Sequence, residues 1–159
     1  MTTRNSTLVA NFEATPVVIN DASMFQGVVR IAQGTLELLA GDSTDNDIIM
    51  LAPIPSNATI KSLAIGTDTF GGSCTFNVGL YTSAGVVKDE DYFATAVADA
   101  GAMTDVRYEA AAIETTGLKV HAMAGDTTDP GGYYYTAVTF SATGGTVGTM
   151  SFIIEYVVN

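Results

Sequence analysis

His121 is the only histidine and Cys74 the only cysteine in this 159-residue chain. A Ser-His-Asp relay needs an imidazole held by a carboxylate and facing a nucleophile. One histidine among many serines and aspartates is no signal for such a relay. No G-x-S-x-G elbow, P-loop or H-E-x-x-H occurs. His121 therefore reads as structural or surface. One Cys and one His also leave zinc without a ligand set. Cys74 has no partner for an intramolecular disulfide and no cationic neighbour in sequence to lower its pKa. It reads as a small buried hydrophobe.

Carboxylates are more plentiful. Asp42, Asp45 and Asp47 crowd one loop, and Asp126 and Asp129 another. Either set could offer hard oxygens to Ca²⁺, but neither follows the EF-hand pattern. Asp and Asn are also the ordinary residues of turns, and that reading is preferred here. A glycosidase needs two carboxylates across a cleft. The chain has no Trp to stack on a sugar. Tyr133, Tyr134 and Tyr135 could stack, but strand alternation turns Tyr134 away from its neighbours. The Gly-rich run at 144–149 joins two strand-like segments and opens no helix, so it lacks the helix N-terminus of a phosphate site. The expectation is no catalytic residue, no cofactor, no metal and no enzymatic turnover.

Composition narrows the class further. Hydrophobic residues are 47% of the chain and charged residues 14%, against about 25% charged in a typical domain. The mean hydropathy is +0.29. Part of this apolar surface is expected to be covered by partners, as a homo-oligomer, with a trimer favoured and a dimer possible. The formal charge is -11, with only six Lys and Arg scattered along the sequence. Nucleic acid and anionic membranes, which call for clustered cations, are not expected partners. The N-terminal stretch lacks the apolar core of a secretory signal, and no apolar run is long enough to span a bilayer. A soluble protein made in a cytoplasm is expected.

The elements that must carry these residues read as strands. Cys74, Phe76, Val78 and Leu80 alternate with Thr75, Asn77, Gly79 and Tyr81, the period of a half-buried strand. Strand-like runs also occupy 27–40, 48–54 and 60–66, and Gly34 is expected to mark a bulge in the first. A turn is expected at 82–85 and an edge strand at 103–109, while 110–124 is open between helix and strand. Segments 133–142 and 149–158 are expected to form a hairpin across the Thr-Gly-Gly at 143–145. Acids followed by Ala-rich sequence predict a short helix near 90–97. Residues 1–26 predict an extended N-terminal arm, with a possible strand at 17–20, and 27–159 a single domain. Cys74, Phe76, Val78, Leu80, Phe152 and Ile154 are the expected core. The architecture expected is an all-β, antiparallel β-sandwich or jelly-roll-like barrel.

The segment from Ile54 to Ala96 carries a resemblance. Pro55-Ser56-Asn57-Ala58 leads into a strand, followed by Gly71-Gly72, then Val78-Gly79-Leu80-Tyr81, Val86-Val87, and Asp89, Asp91 and Phe93. This pattern resembles small structural proteins of tailed bacteriophages, the capsid decoration (cement) proteins. The likeness runs loosely over 41–159, including Asp129-Pro130-Gly131-Gly132, departs at Tyr133–Tyr135, and is poor over 1–40. It implies a virion protein on the outer capsid surface, bound to the major capsid protein lattice and stabilising its contacts. The expected capsid contact is the arm, through Leu8, Val9 and Phe12. The alternative is a carbohydrate-binding jelly-roll module of a head fibre or other virion appendage.

Overall fold

The computed structural model describes residues 7–19, 27–99, 101–107 and 117–158, with the side chains at 7, 8 and 12 excepted. Ten elements follow in order: α1 (Thr7–Glu13), β1 (Val29–Leu38), β2 (Ile48–Pro55), β3 (Ala58–Thr67), β4 (Thr75–Tyr81), β5 (Val87–Ala98), β6 (Thr104–Asp105), α2 (Val120–Met123), β7 (Tyr133–Ala142) and β8 (Gly148–Val158). The strands form two four-stranded sheets, ordered β1-β8-β3-β6 and β2-β7-β4-β5. Every pairing is antiparallel.

That order has a simple origin. β1 pairs with β8, β2 with β7, β3 with β6 and β4 with β5. These are the rungs of one long hairpin folded at the β4–β5 turn. Rolling that hairpin brings β8 against β3 and β7 against β4, which closes the jelly roll. The all-β sandwich expected from alternation is the observed fold.

The core lies between the sheets. Cys74, Phe76, Val78, Leu80, Phe152 and Ile154 are all buried, as their alternation required. Phe140 meets Phe70 and Phe76 edge to face, with ring centroids 5.8 Å and 6.2 Å apart. Burial of each such ring stabilises by about 1.5–3 kcal/mol. Buried hydroxyls are paired: Thr136 donates to the Ala52 carbonyl at 3.2 Å, and Tyr81 bonds Thr139.

Five local expectations are corrected. Residues 90–97 are strand, not helix, because pairing with β4 and burial of Phe93 outweigh local helix propensity. β7 and β8 do not form a hairpin, since they lie in opposite sheets. Their 143–147 connection crosses the sandwich edge, where Gly144 packs against Phe70 and its N–H donates to the Ser43 carbonyl at 2.8 Å. A Cβ on Gly144 would lie 2.8 Å from Phe70, so the Gly pair serves a crossing rather than a tight turn. Gly34 marks no bulge, because β1 pairs with β8 in unbroken register and a Cβ there would sit 2.9 Å from the Phe152 ring. Finally, residues 7–13 are helical, so the N-terminal segment is not extended throughout. Val17–Ile19 is irregular, with no strand pairing.

β5 departs most from regularity. Two steps along β4, from Val78 to Leu80, face five along β5, from Ala94 to Asp89. Three residues are looped out there, and further register shifts lie on either side. The excess folds across the outer face of β4 and covers Gly79. Hence Gly79 and Tyr81, expected on a solvated face, are buried. The 103–109 expectation shrinks to the two residues of β6, with 108–109 outside the described residues. In the open 110–124 stretch, 120–123 are helical, and 110–116 lie outside the described residues.

Candidate interaction surfaces

The densest polar cluster closes one end of the sandwich. α2 is tied to the β2–β3 turn by His121, whose backbone N–H donates to the Ser56 carbonyl at 2.9 Å and whose Nδ1 donates to the same oxygen at 3.1 Å. Gly125 then takes a left-handed φ of 80° and its N–H donates to the Ala122 carbonyl, ending the helix. Chain reversal aims Asp126 at β5 and β7. Lys88 donates to both Asp126 carboxylate oxygens at 3.0 Å, and the Tyr134 hydroxyl donates to Oδ2. The Lys88 ammonium also sits 5.8 Å from the Tyr134 ring centroid. These bonds, the Tyr134 one foremost, hold the Asp126 carboxyl below its ordinary value. Burial, then Asp126, pushes Tyr134 up to about 12. The cluster brings together His, Asp, Tyr and Lys, but Asp126, Tyr134 and Lys88 bond one another and His121 bonds the Ser56 carbonyl. It works as a latch between α2, β5 and β7.

The acidic loop after β1 is also committed to turns. Asp42 accepts from the Leu39 N–H at 2.9 Å, and Asp47 from the Thr44 N–H at 2.9 Å and from the Thr44 hydroxyl. Asp129 accepts from the Gly131 N–H at 2.8 Å. Among the described residues no three His, Cys, Asp or Glu side chains converge as metal ligands. A third acidic group, Asp89 to Asp91, crowns the looped-out part of β5. There burial, then the neighbouring Asp91, raises the Asp89 pKa. Cys74 is buried, and burial pushes its thiol up. Tyr133 is exposed and Tyr134 buried, as alternation required.

Among the described residues the cations lie apart from one another. Lys88 is bonded to Asp126, and Arg107 to Asp105 at 2.9 Å. Lys119 buries its Nζ. Arg30 stands exposed on β1. No described helix is long and apolar enough to cross a membrane.

Exposed apolar side chains stand at Leu39, Val86–Val87, Tyr133 and Val147 among others, but two stretches hold three or more of them. The first is the N-terminal segment. α1 lies within it. Val9 is exposed on it, and Leu8 and Phe12 occupy the same helix. Val17, Val18 and Ile19 follow, exposed, with Ile19 at 92%. The second is β1, where Val28, Val29 and Ile31 are 78%, 51% and 58% exposed. Sequence reasoning singled out the first and missed the second. Its signal was available in the apolar Val28-Val29 and Ile31 around Arg30, but only the sheet order makes β1 an edge. A shallow depression of roughly 300 Å³ lies on the face of this sheet across β1 and β8, lined by Gln33, Thr35, Met103, Ser151 and Ile153 among others.

The fold has relatives of known structure. The chain is similar over 100% of its length, and 100% of the other's, to a chain of the cyanophage Pam1 capsid asymmetric unit, with a TM-score of 0.54 and 16% identity. It is similar over 82% of its length to 85% of a chain from the capsid of Ralstonia phage GP4, with a TM-score of 0.52 and 16% identity. At that identity the likeness is one of fold. No family model matches the sequence, and no curated protein matches it.

Proposed function

We propose that this protein is a virion structural protein of a tailed bacteriophage, a decoration protein bound to the outside of the assembled head. The observation that carries this reading is end-to-end similarity of the whole jelly roll to a chain from a phage capsid. Three features support it. The described polar clusters are spent on internal contacts. The surface is acidic and poor in free cations, which suits a shell around DNA that must not bind DNA. The N-terminal segment exposes apolar side chains at Val9 and Val17–Ile19.

The mechanism is mass action. A ligand that binds the assembled lattice and not its free subunits stabilises assembly by RT ln(1 + [L]/Kd) per site. At a hundredfold excess over Kd this is about 2.7 kcal/mol. α1 and Val17–Ile19 gain buried area only where a groove between capsid subunits exists, which supplies the required preference.

The test is co-sedimentation with assembled heads and, separately, with unassembled major capsid protein. Binding to heads alone is expected. Removal of residues 1–15, which takes away Leu8, Val9 and Phe12, should abolish it while circular dichroism keeps its β signature. Equal binding to free subunits would defeat the mechanism. Undiminished binding by the truncated protein would move the contact to the sandwich.

A further inference from the structure

We propose that the open edge of β1 is a self-association site, where a second copy of this chain adds its own β1 antiparallel across a two-fold axis.

Among the described residues the sandwich has four sheet edges, formed by β1, β6, β2 and β5. A bare edge is a template for another strand, and folded proteins blunt theirs with short strands, prolines or bulges. β6 has two residues. β2 carries Pro53 and Pro55 and a register shift between Met50 and Ala52. β5 is interrupted three times. β1 has none of these devices. It runs ten residues in unbroken register with β8, contains no Pro, and leaves Val29, Arg30, Ile31, Gln33, Thr35 and Glu37 exposed.

Charge selects the occupant. Two chains of net charge -11 repel wherever acidic surfaces meet. Residues 27–38 hold one cation, Arg30, and one anion, Glu37, so this stretch is neutral. Antiparallel approach brings the Arg30 end of each copy to the Glu37 end of the other. A two-fold perpendicular to the sheet pairs residues on the same face. Centred on Gln33, it sets Gln33 opposite Gln33, Ile31 opposite Thr35 and Val29 opposite Glu37. Arg30 then lies opposite Leu36 on one face and Glu37 opposite Val29 on the other, so no like charges are set against each other. Sliding the strands to cover only the Val28–Ile31 end would stack Arg30 on Arg30, which the charges oppose. The centred register also gives the longest ladder. Such a contact is isologous and closes at two copies. The proposed unit is therefore a dimer rather than the trimer that composition favours.

Single cysteines test the register, because the native Cys74 is buried. Opposed residues in an antiparallel pair have Cα atoms about 4.5–5.5 Å apart, within disulfide reach. Under mild oxidation Gln33→Cys should form a covalent dimer. Thr35→Cys should not, since its counterpart is displaced by four residues, roughly 13 Å along the strand. Gln33→Lys sets two ammonium groups face to face on the solvated side. It should raise the dimer Kd at least tenfold by analytical ultracentrifugation, with circular dichroism unchanged. Equal cross-linking at 33 and 35 would mean random collision and would overturn the proposal, as would a wild-type monomer at micromolar concentration. Capsid binding separates this inference from the functional reading. A β1-linked dimer that ignores capsids sinks the decoration reading and leaves the edge contact standing. If Gln33→Lys abolishes capsid binding by a protein that was monomeric beforehand, β1 belongs to the capsid and the self-association site is refuted.

Discussion

Gly79→Ala probes the least regular part of the fold with the smallest possible change. A Cβ at position 79 would lie 2.0 Å from the Asp89 carbonyl oxygen, 2.3 Å from the Glu90 carbonyl carbon and 2.5 Å from the Glu90 oxygen. Ordinary carbon contacts begin near 3.5 Å. The looped-out backbone of β5 must therefore retreat by about 1.5 Å. Backbone atoms cannot rotate aside as a side chain would, and Phe93, fully buried, is anchored just beyond the loop. Overpacking costs typically 1–3 kcal/mol, and the rigid neighbours place this case at the upper end, about 3 kcal/mol. For a domain of this size each kcal/mol moves Tm by about 2–4 °C, so a fall of roughly 6–12 °C is expected by calorimetry. Amide exchange should accelerate over 87–94 before it does in β7 and β8. Gly41→Ala is the control, since nothing lies within 4 Å of its Cβ; it should be neutral or mildly stabilising. A Gly79→Ala protein within about 0.5 kcal/mol of wild type, with β5 exchange unchanged, would refute the crossing of β5 over β4.

Phe76→Ala should destabilise by about 3–5 kcal/mol in urea melts, because the ring is buried against Phe140; a loss under about 1 kcal/mol would contradict its inward register. The latch predicts a pH window. Tyr134 is raised from 10.0 to about 12, so its contribution is full below pH 10 and is lost as pH rises through 12. Asp126 is lowered from 3.8, so its contribution is present above that value and is lost as pH falls through the depressed one. Tyr134→Phe should make the alkaline limb of the stability profile shallower, with Tyr81 and Tyr92, also raised by burial, retaining the rest; wild type and variant losing stability in parallel above pH 10 would show that Tyr134 adds nothing to it.

The fold was legible where one face of a strand is buried and the other wet. β4 as far as Val78 and β8 as far as Ile154 alternate cleanly, and their core residues followed from period alone. Legibility failed where a residue answers to a distant strand. Phe93 and Ala94 read as helix because local acids and alanines favour one, yet both are buried against β4. The Gly pair after β7 read as a hairpin turn because turn chemistry is local, whereas its geometry is set by Phe70 and Ser43 from elsewhere in the chain. Gly34 read as a bulge because the Phe152 ring it accommodates is far off in sequence. The surfaces divide likewise. The apolar beads at Leu8, Val9 and Phe12 stand out in an otherwise polar stretch. The β1 edge does not, because being an edge is a property of sheet order.

The N-terminal segment and the β1 edge suit different tasks, and under the decoration reading they reinforce each other. α1 and Val17–Ile19 form a short apolar segment that can fill a groove of limited size, so one such contact is weak. A neutral, ten-residue edge can join two acidic chains without facing like charges. Joining them makes the second arm's binding intramolecular, with an effective concentration set by the dimer rather than by free protein. Avidity from two linked weak contacts can exceed either alone by about 10²–10⁴. It arises only where two grooves lie at the spacing the dimer sets. An assembled lattice offers that spacing and a free capsid subunit does not. Preference for the assembled state then follows from geometry, with no need for either contact to be strong.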